Sequence, residues 1–112
     1  MWLRTLFRAG PHKVWLGLDP PPDKSWLYCR KHESFFTMLL KGQVSEVSIP
    51  YDLSETESGV LVIHWMAEQI LLGKLKKPPK IQCRTSTPEQ GRQMSYALRT
   101  MYKRWLRARS IT

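Results

Sequence analysis

"VSEVSIPYDLSETESGVLVIHWMAEQILLGKLKKPPKIQCRT", residues 44–85, is the stretch whose reading decides the fold. Val44, Val47 and Ile49 alternate imperfectly and read as a central strand over 44–50, closed by Pro50. A polar loop follows, with Asp52 just past the strand, where α/β proteins usually place a functional carboxylate. Residues 58–75 are the most apolar segment of the chain and are too long for a strand. Their apolar side chains fall on two helical faces: Leu61, Trp65 and Leu72 on one, Ile63, Met66 and Ile70 on the other. A helix this apolar packs on a sheet and touches something else besides. "KKPPK" marks the next break, and residues 80–85 read as another strand.

Working outward, residues 12–18 are a β-branched and aromatic run that ends in "DPPPDKS", where consecutive prolines forbid regular pairing. Residues 25–30 read as a short strand. Residues 32–43 place Phe35, Phe36, Leu39 and Leu40 at helical spacing and stop at Gly42, a C-cap signal. The last helix, about 88–109, carries Met94, Leu98, Met101 and Trp105 on a core-facing stripe, with Arg92, Arg99, Lys103 and Arg107 opposite. The order ββαβαβα predicts an α/β sheet with helices as crossovers. Residues 1–12 read as an N-terminal extension and 13–112 as the domain. In the extension, Trp2, Leu3, Leu6 and Phe7 lie beside Arg4 and Arg8. A helical turn or edge strand packed on the domain and a membrane-surface anchor are both open readings.

The 112 residues make one domain with 42% apolar and 24% charged composition, ordinary for a soluble globular chain. The longest apolar stretch, 59–66, is interrupted by His64 and is far too short to span a bilayer. Cys29 and Cys83 match no metal or redox spacing and read as reduced core thiols, which favours a cytoplasmic setting. The net charge of +9 is unevenly placed: residues 74–112 hold eleven Lys and Arg against Glu89 alone. Such asymmetry implies an acidic partner, either an acidic protein surface or nucleic acid.

The spacing of short motifs resembles that of the bacterial and phage cyclic-phosphate-processing receiver-like domains. The family's opening strand and proline-rich loop correspond to Val14-Trp15-Leu16-Gly17-Leu18, Asp19 and Pro20-Pro21-Pro22. Its third-strand motif corresponds to Ile49-Pro50-Tyr51-Asp52-Leu53, and its next helix to Ser58-Gly59-Val60-Leu61-Val62 with Trp65. The fourth strand and loop correspond to Arg84-Thr85-Ser86-Thr87-Pro88, then Gly91-Arg92 and Met94. The likeness runs from about residue 13 to 105. It implies a small receiver-like, flavodoxin-type three-layer α/β sandwich, with a mainly parallel sheet of about four strands and helices on both faces.

A receiver-type site gathers several carboxylates, because a hard divalent cation needs several oxygen ligands. Gly17 and Leu18 stand where the resemblance puts paired acids, and Pro50 where it puts the first acid of the third-strand motif. Asp19 and Asp52 remain as a vestigial acidic site, so no metal, no cofactor and no catalytic residue is expected. Asp52 also suits an Asx-turn or cap. His64, alone on an apolar helix, and Ser54 and Ser58, without a paired base, form no nucleophile constellation. Arg92, in the family's Gly-Arg slot, with Arg84, Thr85 and the first amides of the last helix, forms a candidate phosphate or carboxylate site. Bracing of the loop is the alternative for Arg92. Arg99, Lys103, Arg104, Arg107 and Arg109 form a candidate partner face, and Tyr96 and Tyr102 near them suit stacking on bases. The expectation is a receiver-like binding module for an acidic partner, a protein before a nucleic acid, with a residual metal-dependent phosphate-processing enzyme as a further alternative. Helix 60–72 is a candidate homodimer surface.

Overall fold

The computed structural model describes residues 11–111, so residues 1–10, most of the expected extension, lie outside the described residues. Four strands make one sheet: β1 (His12–Leu16), β2 (Leu27–Cys29), β3 (Val44–Pro50) and β4 (Lys80–Arg84). Every pairing is parallel and the order is β2-β1-β3-β4. Three helices are described: α1 (His32–Leu40), α2 (Gly59–Leu71) and α3 (Pro88–Ile111). This is the small α/β fold of the flavodoxin-like receiver type that the motif spacing implied, with the strands and helices in the expected order.

The ends of the elements follow from local chemistry. Gly42, after α1, takes φ +74°, a left-handed conformation that a Cβ disfavours. The proline-rich connection from β1 to β2 contains no helix, since its prolines cannot donate to one. Within it Asp23 accepts hydrogen bonds from the Ser25 hydroxyl and from the Ser25 amide at 2.8 Å. Those donors hold the Asp23 carboxyl below its ordinary pKa.

The alternation of side chains along a strand puts Val14, Leu16, Cys29, Val47 and Ile49 on one face. They form a single buried core with Phe35 and Leu39 of α1, Ile63, Met66 and Ile70 of α2, and Met94, Ala97 and Met101 of α3. The crossovers through α1 and α2 run in the same direction across the sheet, so right-handed connections place both helices on the same side. Phe36 of α1 accordingly stacks on Trp65 of α2, with ring centroids 3.7 Å apart. A helix on the opposite face, which the three-layer expectation includes, is not among the described residues. Lys13, Trp15, Tyr28, Ser48, Gln82 and Arg84 share that other face by the same alternation.

The two faces read from the sequence of α2 separate as expected. Ile63, Met66 and Ile70 are buried, Leu61 and Leu72 are exposed, and Trp65 is half-buried. Its first residue decides how closely α2 meets the sheet. A Cβ on Gly59 would overlap the Pro50 carbonyl oxygen and come within 2.7 Å of Ile49 Cγ2. Cys29 and Cys83 are free thiols, and burial pushes the pKa of both upward. Among the described residues no helix is long and apolar enough to cross a membrane.

Candidate functional site

Parallel α/β sheets place their sites outside the carboxyl ends of the strands. At that edge β1 runs into Gly17, β3 ends at Pro50 and β4 ends at Arg84. These three residues meet. The Arg84 guanidinium donates from Nη1 to Ser48 Oγ and from Nη2 to the Leu16 carbonyl, both at 2.7 Å. Its Cζ lies 3.8 Å from the centroid of the Trp15 ring, a cation–π stack. Gly17 has φ +142°, and a Cβ there would sit 2.7 Å from Arg84 Nη2 and 3.2 Å from Pro50 Cγ. The guanidinium therefore fills the space that a side chain at position 17 would need.

The remaining contacts fix the rim of this edge. Trp15 Nε1 donates to the Asp19 carbonyl at 2.8 Å, and the Tyr28 hydroxyl donates to the Leu18 carbonyl at 2.7 Å. On the other side, the Tyr51 hydroxyl and Gln93 Oε1 are 2.6 Å apart. Burial pushes the Arg84 pKa downward, and the charge of Asp19 partly offsets this. Asp19 is exposed and is not within ion-pair distance of Arg84.

The divalent cation implied by the resemblance does not fit these residues. Gly17, Leu18 and Pro50 carry no side-chain oxygen, and a guanidinium occupies the space between the ends of β1 and β3. Among the described residues no three His, Cys, Asp or Glu side chains come together as a metal would require. Asp52 lies in the loop after β3, exposed, with its backbone in an isolated bridge to Ser58.

The trio Arg84, Thr85 and Arg92 is divided. Arg84 turns toward Leu16 and Ser48, on the sheet face away from the helices. Arg92, in the first turns of α3, pairs with Glu89 at 2.6 Å instead. That contact and Gln93 hold the Glu89 carboxyl below its ordinary pKa. Thr85 is exposed, with its hydroxyl 3.8 Å from where a Cβ on Gly91 would stand.

The basic helix keeps its predicted pattern. Met94 and Met101 are buried, Leu98 and Trp105 are half-buried against the core, and Trp105 Nε1 donates to the Lys76 carbonyl at 2.9 Å. Arg99, Lys103, Arg104, Arg107 and Arg109 are all exposed. Among the described residues none of Arg99, Lys103, Arg104 and Arg107 pairs with a carboxylate. The Arg109 guanidinium lies 4.9 Å from the centroid of the Trp105 ring. Tyr96 is 65% exposed, whereas Tyr102 is half-buried and its ring lies at 64° to that of Trp105. An open groove of about 950 Å³ runs between α2 and α3, lined by Val60 and His64 on one side and Arg92, Gln93, Tyr96 and Arg99 on the other.

Sequence reasoning left Ser48, Trp15 and His64 outside its candidate sites. The first two had a signal: their alternation within β1 and β3 puts both on the face opposite the core. The helical period put His64 on the Leu61 side of α2, but only the packing of α2 on α3 brings it to the groove.

The family model described as the cyclic-phosphate processing receiver domain matches residues 12–100. No curated protein and no solved structure matches the chain significantly. The match begins at the first residue of β1 and ends inside α3, so it covers all four strands and all three crossover connections. The match covers most of the chain, and this chain belongs to the cyclic-phosphate processing receiver domain family.

Proposed function

We propose that this protein is a receiver-like binding module that holds an acidic protein segment along α3, seated in the groove between α2 and α3. The observation that carries this reading is the make-up of the groove. Val60 and the Tyr96 ring offer apolar surface and Arg99 supplies an unpaired charge at its rim, where Arg92 is paired with Glu89. An acidic amphipathic helix would satisfy both, with apolar residues on the floor and a carboxylate on Arg99. Lys103, Arg104 and Arg107 extend the positive surface along the helix, and Arg109 lies at its end. All four lie beyond the residues that the family model matches. Weighing against catalysis is the donor set at the strand ends, which lacks the oxygens that a phosphate-processing metal would need. A cytoplasmic setting goes with two free thiols.

A nucleic-acid partner is the second reading, favoured by the single sign of the charge on this face and by the exposed Tyr96 ring. Fluorescence anisotropy with two defined probes separates them: an acidic amphipathic peptide and a single-stranded oligonucleotide. The first reading expects the peptide to bind, at least tenfold more weakly after Arg92→Ala with Arg99→Ala. Tight oligonucleotide binding that collapses with salt, and no peptide binding, would establish the second.

A further inference from the structure

We propose that Arg84 makes the carboxyl edge of the sheet a metal-independent receptor for one oxyanion, a phosphate or carboxylate group, with Trp15 backing the guanidinium. This inference stands apart from the α2–α3 groove and rests on different residues.

The geometry supplies a held cation whose charge is not neutralised. A guanidinium has five N–H donors, and two of them go to neutral acceptors, Ser48 Oγ and the Leu16 carbonyl. The other three have no acceptor among the described residues. No carboxylate of a described residue lies within 4.0 Å of Arg84, although the group is half-buried. A partly desolvated cation with donors to spare favours an anion more strongly than a solvated surface arginine does. Its direction is already set: Ser48 is fully buried beneath it, Trp15 stacks on one side, and Gly17 leaves room where any larger residue would not. An incoming oxyanion therefore meets donors that need no rearrangement, which reduces the entropy lost on binding. The strand ends thus carry a positive centre supplied by the chain itself.

The test is a nuclear magnetic resonance titration of the full chain, following the Trp15 indole N–H and the Arg84 Nε–H. Inorganic phosphate and acetate are titrated separately against chloride at matched ionic strength. A saturable shift of both signals by either anion is expected, and it should vanish in Arg84→Met. Phosphate saturating below acetate assigns a phosphate ligand; the reverse assigns a carboxylate. Replacing the nearby anion in Asp19→Asn should tighten binding about threefold, the effect of one screened charge at this range. The Trp15 bond to the Asp19 backbone carbonyl survives that change, so this variant decides the matter if Arg84→Met does not fold. Unchanged or weakened binding in Asp19→Asn would overturn the proposal. So would a shift abolished by Arg92→Ala with Arg99→Ala, or no saturable shift up to about 50 mM of either anion.

Discussion

Arg84 and the cations of α3 carry the same charge and are held in opposite ways. Around Arg84, Gly17, Ser48, Trp15 and Pro50 each take the one shape that lets the guanidinium in. Along α3, Arg99, Lys103, Arg104 and Arg107 stand in solvent with no carboxylate among the described residues to fix them. A change at the strand edge therefore disturbs packing first. A change on the helix face disturbs binding and leaves the fold alone. The difference separates a charge whose position the architecture fixes from charges on long side chains that stand free in solvent.

The sharpest way to break this contrast is at the strand edge. Gly59→Ala places a methyl group against the Pro50 carbonyl and Ile49, and neither can withdraw without moving β3. A loss of about 3 kcal/mol or more is expected in urea unfolding. Gly17→Ala forces a side chain into a positive-φ position and against Arg84, and should cost about 2 kcal/mol. Ser48→Ala leaves the Arg84 Nη1 donor without its buried acceptor, a loss of about 1.5 kcal/mol. On the helix face, Arg99→Ala with Lys103→Ala should leave the unfolding midpoint nearly unchanged while acidic-peptide affinity falls. If that pair unfolded the protein as readily as Gly17→Ala, the division drawn between the two regions would be wrong.

The legible parts of the site lie where the side-chain pattern is periodic. The stripe Met94, Met101 and Trp105 and its cationic opposite repeat with the helix, so sequence places both faces of α3. The edge of the sheet is different. Sequence shows that Gly17, Leu18 and Pro50 lack oxygens, and it puts Arg84 at the end of a strand. It groups Arg84 and Thr85 with Arg92, which stands in the Gly-Arg slot that the resemblance marks at the start of the last helix. In the structure Arg84 joins Leu16, Ser48 and Trp15 instead, from two other strands.

By itself, the sequence determined the order of elements, the parallel α/β class, the family and the two faces of α3, since each is written in local periodicity or motif spacing. The tertiary structure alone decided which way Arg84 points, that His64 reaches the α2–α3 groove, and that Gly17 leaves room for a guanidinium beside Pro50. The physical reason is the range of the interactions. Helical and strand periods act over a few residues, whereas the Arg84–Leu16 hydrogen bond of the strand-edge cluster joins positions 68 residues apart, and only strand register brings them together.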